Sequence, residues 1–325
     1  MSPVVSRWNR FWFQEVDGAP LGLVRITFAL AGLLAAVEMA PLLPRHYTDT
    51  GVLPLSQARE WGVHGPLSHL LLWPEVLGSS GAAVALHLLL VTSLLALLVG
   101  FRTRVAAWAT FLLIVWFQSR NPTLLHGGDE VLRLTALYLA VGHLPLSPGQ
   151  RAFSLDRRRA IGSSASNPRD AEAALIPAWP LRLIQIQVAL MYLTSGIFKL
   201  GSEPWWDGTA LALSLGNPLL TRFGLPDWPW LQIPFLVLGV AVVLWQLFFW
   251  LLVLRPRGRT MALLFGVAFH LGIAVGMNLG TFPLTVLAIY PVFLSGATVR
   301  RGLGLVSRGT EAREVLPLTS VHRPA

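Results

Sequence analysis

Apolar residues in this chain fall in long runs, neither the alternation of a half-buried strand nor the narrow stripe of a surface helix. Runs approaching the roughly 20 residues that cross a hydrocarbon core occur at eight places: Leu21–Leu42, Gly81–Phe101, Val105–Phe117, Asp129–Leu146, Leu181–Leu200, Leu231–Leu254, Met261–Leu279 and Phe282–Ala297. The third and last are short. Between them, Pro41–Ser80 is proline-containing and holds Trp61, Trp73, His46, His64 and His69, a composition expected to cap the bundle or lie against the membrane. Ser147–Ala178, with "DRRRAIGSSASNPRDAEAA", reads as a flexible loop. "GTALALSLGNPLL" reads as a short interfacial helix stopped by Asn217-Pro218. The pattern predicts an all-α polytopic membrane bundle, with about eight transmembrane helices plus short interfacial helices. It forms a single domain over residues 1–325, with a core of about 5–300 and a short tail, 301–325.

Composition agrees. Of 325 residues, 54% are hydrophobic and 13% charged, and the mean hydropathy is +0.60. Met1–Asp17 lacks the apolar core and small-residue cleavage site of a removable signal, so the first run is expected to stay in the membrane. The absence of cysteine excludes disulfides, thiolate zinc sites and cysteine nucleophiles. A net charge of +9 raises the possibility of nucleic acid, but its distribution points elsewhere. With a cytoplasmic N-terminus, eighteen cations fall in inside segments and five outside (Arg45, Arg59, Arg120, Lys199, Arg222), while Arg25 and Arg133 lie within helices. This asymmetry predicts a multi-pass plasma (inner) membrane protein with both termini cytoplasmic, and explains the charge without nucleic acid.

Candidate chemistry begins in "TSGIFKLGSEPWWDGTA", Thr194 to Ala210, which contains Lys199, the chain's single lysine against 24 arginines. Gln185, Tyr192, Ser195 and Lys199 share one helical stripe. A polar stripe on an apolar helix must face other helices or a cavity. One reading makes it interhelical glue, with Lys199 snorkelling to the interface. The other rests on residue choice: arginine would serve as an anchor, whereas only lysine can lose its proton and act as a base. Trp205 and Trp206 read as interfacial anchors or as the wall of an aromatic ligand.

A second group lies in "SRNPTLLHGGDEVLRL", Ser119 to Leu134. Asp129 suits a helix N-cap, Arg133 lies one turn on, and Gly127-Gly128 permits close approach of a ligand or another helix. A cap with an internal salt bridge and direct ligand contact both remain open. His126 is either an exposed loop histidine or a proton-transfer group. Glu38 and His270 are intramembrane ionisable groups and so candidates for proton relay or cavity lining. Arg25 is expected to snorkel or to pair with another helix. No Walker loop, dinucleotide glycine fingerprint or HExxH pattern occurs, and His64 and His69 make no convincing metal site, so none is predicted.

The stretch "IQIQVALMYLTSGIFKLGSEPWWDGTAL" resembles the HTTM family, the membrane domain shared with vitamin K-dependent gamma-carboxylase. The resemblance rests on Tyr192, Gly196, Lys199-Leu200, Trp206 and Gly208. "RNPTLLHGGDEVLRL", with Gly128-Asp129, and "FHLGIAVGMNLGTFPLTVLAIYPVFL", from Phe269 and His270 onward, are similar to two further family segments. The resemblance implies that Lys199 is the base that deprotonates a reduced vitamin K or menaquinol-like naphthoquinone. Oxygen and carbon dioxide would be co-substrates, and a glutamate of a small secreted peptide or protein the acceptor. Tyr192, Ser195, His270 and Trp206 would then line the cofactor site, with His126, Asp129, Arg133 and Glu38 positioning it or relaying protons, on the outer side. The rival expectation is a non-catalytic membrane protein for peptide toxin maturation, export or lipid binding.

Overall fold

The computed structural model describes residues 2–61, 75–161, 174–223 and 229–304. His64, His69, Trp73 and most of the tail lie outside the described residues. The main helices are α1 (Pro3–Phe13), α2 (Ala19–Met39), α3 (Ser80–Val99), α4 (Thr103–Arg120), α5 (Gly127–His143), α6 (Trp179–Leu200), α7 (Gln232–Leu252), α8 (Pro256–Gly276) and α9 (Phe282–Ile289). Their ends follow local chemistry. Ser79 Oγ accepts from Ala82 N to start α3, and Gly100, at φ +69°, ends it in the left-handed region. Prolines open α2 and α8, where a missing N–H costs nothing.

Among the described residues, five helices are long and apolar enough to cross a membrane: α2 extended to His46, α3, α6, α7 and α8. A sixth arises if Phe282–Phe293 and Gly296–Gly302, bent by 119°, count as one span. By length and composition the described residues thus support five or six of the eight predicted spans. Both missing segments are helical, but α4 ends in the polar run Gln118, Ser119, Arg120, and thirteen of its eighteen residues are buried. α5 has 17 residues and carries Asp129, Glu130 and Arg133. They are interior helices of the bundle, enclosed by the more apolar ones.

A two-stranded antiparallel ribbon, absent from the all-α expectation, ties the starts of α2 and α6. β1 (Glu15–Asp17) pairs with β2 (Leu175–Pro177), Val16 opposite Ile176. Gly18 N donates to Ala174 O at 2.8 Å and Ala178 N to Gln14 O at 3.0 Å, so both helices leave one anchor. Asp17 accepts from Ala19 N at 2.9 Å and pairs with Arg300 at 2.5 Å, fastening the segment that follows the 119° bend.

Of the loop predicted over Ser147–Ala178, residues 162–173 lie outside the described residues, and both described ends are fastened. Asp156 accepts from Arg102 N, Thr103 N and Thr103 Oγ1, each at 2.8 Å, and from Arg151 Nη1 at 2.6 Å, placing an anion at the N-terminus of α4. Arg25 does not snorkel; it bonds to another helix, as the alternative expectation had it, but through carbonyls. It is fully buried and donates to four carbonyls: Leu97 and Leu98 in the last turn of α3, and Ala152 and Phe153 in this loop. At the other end, buried Arg120 donates to Leu53 O at 2.6 Å and Asn121 Nδ2 to His46 O at 2.8 Å, so the segment after α2 caps the bundle.

Two outcomes follow for thermal unfolding in detergent. Arg25→Ala leaves several buried carbonyls without donors and lowers stability by about 3 kcal/mol or more, and Arg25→Lys recovers only part, since an ammonium lacks the planar fork. Burial pushes the Asp156 carboxyl up, but hydrogen bonds from Thr103, Arg151 and Arg102 outweigh it and hold the group below the usual carboxylate range. The folded value being the lower, this stabilisation is complete above the ordinary range and lost as pH falls through the folded-state value. The midpoint of the native chain therefore drops more steeply below about pH 4 than that of Asp156→Asn.

Candidate functional site

The predicted site residues are held in three neighbourhoods. The first is the C-terminal end of α6. Lys199 Nζ donates to Ser195 O at 3.4 Å and sits 5.0 Å from the centre of the Trp205 ring. Among the described residues no carboxylate lies within ion-pair distance of this half-buried ammonium. Ser195 thus meets Lys199 through its backbone carbonyl. Trp205, rather than Trp206, covers the lysine, while Trp206 donates Nε1–H to Leu200 O at 3.0 Å. Gly208, at φ +86°, is required by the turn, because a Cβ there would lie 3.0 Å from Leu236 Cβ. Asp207 then accepts from Thr209 N and Oγ1 to start the predicted short helix Thr209–Gly216. Neighbouring Phe198 is 81% exposed, as expected for a face turned to lipid.

The second neighbourhood lies deeper. Tyr192 Oη is 2.8 Å from His270 Nε2 and 2.6 Å from Tyr290 Oη, so α6, α8 and the segment after α9 share one buried polar node. Aromatic rings enclose it: Trp245 and Phe249 lie 4.5 and 4.6 Å from Tyr192, and Phe269 and Phe282 are 5.2 and 5.9 Å from His270. Gly266 leaves the space that the Tyr290 hydroxyl fills, and a Cβ on Gly196 would press into Leu247 at 2.9 Å, which explains the close packing of α6 on α7. Gln185 turns elsewhere, donating to Val292 O at 2.8 Å and accepting from Arg182.

The third is a cavity of about 390 Å³ bounded by α2, α3, α4, α5 and the Asn278–Thr281 turn, with Glu38, His126 and Asp129 in its lining. Leu90, Leu94, Ile114 and Phe117 form apolar wall, and Tyr47, Asn121 and Asn278 add polar groups. Asp129 Oδ2 accepts from His126 N at 2.8 Å and His126 Nδ1 accepts from Gly128 N at 3.0 Å, so the N-cap is His126 rather than Asp129, which closes the cap from the third helical position. Burial pushes the Asp129 carboxyl up, against the His126 backbone hydrogen bond. Arg133 binds Glu130 and donates to Gln118 Oε1 at 3.0 Å, while Gln118 Nε2 donates to Asp129 O. Arg133 is not among the lining residues, and neither are Lys199, Tyr192, Ser195, Trp206 or His270. Glu38 Oε2 accepts from Thr281 N at 3.1 Å, at the start of α9.

Phe282 is the wall between the second and third neighbourhoods. Its ring centre lies 5.9 Å from His270 and 6.3 Å from His126. A Cβ on Gly128 would be 3.1 Å from Phe282, so the Gly-Gly pair admits another helix. Sequence reasoning missed Tyr47, Tyr290 and Trp245. Tyr290 lies in a quoted family segment, but nothing in its local pattern distinguishes it from a core aromatic.

A family model for the HTTM domain matches residues 13–297. The chain belongs to the HTTM family. It is thus a membrane protein of the vitamin K-dependent carboxylase-like group. Neither a curated protein nor a solved structure matches it. The HTTM match takes in all three neighbourhoods, from Glu38 to Tyr290.

Tyr192 makes two bonds in the polar node and Tyr290 one. Tyr192→Phe is therefore expected to cost about 2 kcal/mol and Tyr290→Phe about 1 kcal/mol in detergent melts. The double variant should fall short of the sum of the two, because both remove the shared bond.

Proposed function

We propose that this HTTM protein is a membrane enzyme acting on a reduced naphthoquinone such as vitamin K hydroquinone or menaquinol, with Lys199 as the base. The reading is supported by one observation above all: the single lysine of the chain is held by a carbonyl and an indole face, with no acidic partner among the described residues. An ammonium so placed lacks the counter-charge that would fix its proton, and arginine could not take the role.

The residues around Lys199 fit such a molecule. Trp205 offers a flat apolar face, Ile197 and Phe198 are open beside it, and Lys199 Nζ can accept a proton from a hydroxyl arriving from the lipid side. When bound, the quinol supplies oxidation by oxygen, to which addition of carbon dioxide to a peptide or protein glutamate would be coupled. Lys199 takes up and returns the proton, Trp205 orients the ring, and the half-buried setting limits competition from water. The cation distribution supports a plasma membrane location with both termini cytoplasmic and Lys199 on the outer side.

A second reading, a non-catalytic protein for peptide toxin maturation, export or lipid binding, is favoured by a specific observation: the cavity does not include Lys199. The two readings part on Lys199→Arg, which keeps the charge. In purified protein supplied with reduced quinone and oxygen, it should lower quinol oxidation at least about 100-fold, the span of general base catalysis. Retention of full turnover by the arginine variant would remove Lys199 from the mechanism, and no turnover in the native chain would favour the second reading.

A further inference from the structure

The cavity's polar groups are unevenly matched. Glu38 and Asp129 each contribute a carboxylate, and no lysine or arginine is in the lining. Each of these carboxylates accepts one backbone N–H, from Thr281 and His126 respectively. A carboxylate has about four lone-pair sites, so acceptor capacity remains on both. Opposing this, Tyr47 also lines the cavity, is only 6% exposed, and its hydroxyl has no hydrogen-bond partner among the described residues. Burial and the nearby Asp129 carboxylate push the Tyr47 hydroxyl well above its ordinary value, so it keeps its proton and remains a donor.

Gln118, Asn121, His126, Asn278 and Thr281 add neutral polar groups near the carboxylates, with the Gln118 and Asn121 amides donating to Asp129 O and His46 O, and the wall is apolar from Ala35 on α2 through Leu90 and Leu94 on α3 to Ile114 and Phe117 on α4. At about 390 Å³ the space is within the range of small-molecule sites, roughly 300–1,000 Å³. We infer that this cavity binds an amphiphile with one apolar chain and a hydrogen-bond-donating head that carries no negative charge, an amine or a hydroxyl. Such a head donates to Glu38 and Asp129, and a hydroxyl also accepts from Tyr47. An anionic head meets two carboxyl groups and neither lysine nor arginine. The inference rests on the cavity and not on the chemistry of Lys199, and its test reads binding without turnover.

The full-length protein in phosphatidylcholine nanodiscs is titrated with a dansyl-labelled long-chain amine, with empty nanodiscs as control, and then competed with dodecylamine, dodecanol and dodecanoate at neutral pH. The amine and the alcohol should compete saturably, and the carboxylate at least about 10-fold more weakly. In a variant combining Glu38→Gln with Asp129→Asn, the preference for amine over carboxylate should disappear. Ala35→Phe fills the space from a partly exposed position and should abolish saturable binding while thermal unfolding stays cooperative. Tyr47→Phe should weaken the alcohol several-fold and leave the amine unchanged. Equal competition by dodecanoate overturns the assignment of the head group. Saturable binding that persists in a folded Ala35→Phe protein, or its absence from the folded native chain, overturns the site itself.

Discussion

The constraint on which the rest of this bundle depends is the burial of Arg25. A guanidinium removed from water needs acceptors on every side, and here they are main-chain carbonyls from two separate segments. Two belong to the C-terminal turn of α3, where the helix leaves carbonyls unpaired and its dipole presents negative charge. The others belong to a loop far along the chain. One side chain on α2 therefore fixes the end of α3 and the course of residues 152–153. The path of that loop in turn brings Asp156 to the start of α4. This end of the bundle, where α4 begins, is therefore held by directed bonds.

At the opposite end the logic is similar, with different residues. Arg120 and Asn121 reach the carbonyls of Leu53 and His46, drawing the segment after α2 over the cavity. Tyr47 is carried inward by that closure, edge-on to Phe117 at 5.2 Å. The ends of the molecule are thus organised by arginine meeting backbone. The middle depends on aromatic packing around one tyrosine hydroxyl, an arrangement in which a single polar contact specifies how three helices meet.

What the sequence made legible follows the range of each interaction. The long apolar runs placed α2 to α9, because hydrophobicity is summed over many residues and survives local exceptions; the amphipathic α1 lay outside every run. A cap at the start of α5 and Asn217 as a stop were readable since the partners lie within a few positions, although His126 takes the N-cap and Asp129 the third helical position. Lys199 stood out through residue choice alone. The number of spans was not legible in the same way, because burial of α4 among other helices and burial in lipid leave the same apolar pattern in a run of residues. Arg25 binding to carbonyls, the β1–β2 ribbon and the union of Tyr192 with Tyr290 all join residues separated by scores of positions. The stripe on α6 correctly marked Tyr192 as inward-facing, but Lys199 lies about 10 Å further along the axis, and the shared stripe did not bring the two to one cavity.

The contact between Glu38 and Thr281 links occupancy to architecture. A single carboxylate oxygen on α2 steadies the first turn of α9, and that same carboxylate faces the cavity. The carboxylate that lines the cavity is thus also the one that holds the turn immediately before Phe282, the ring that stands between His126 and His270. The partition between the cavity and the tyrosine node is anchored by a group belonging to the cavity's own wall.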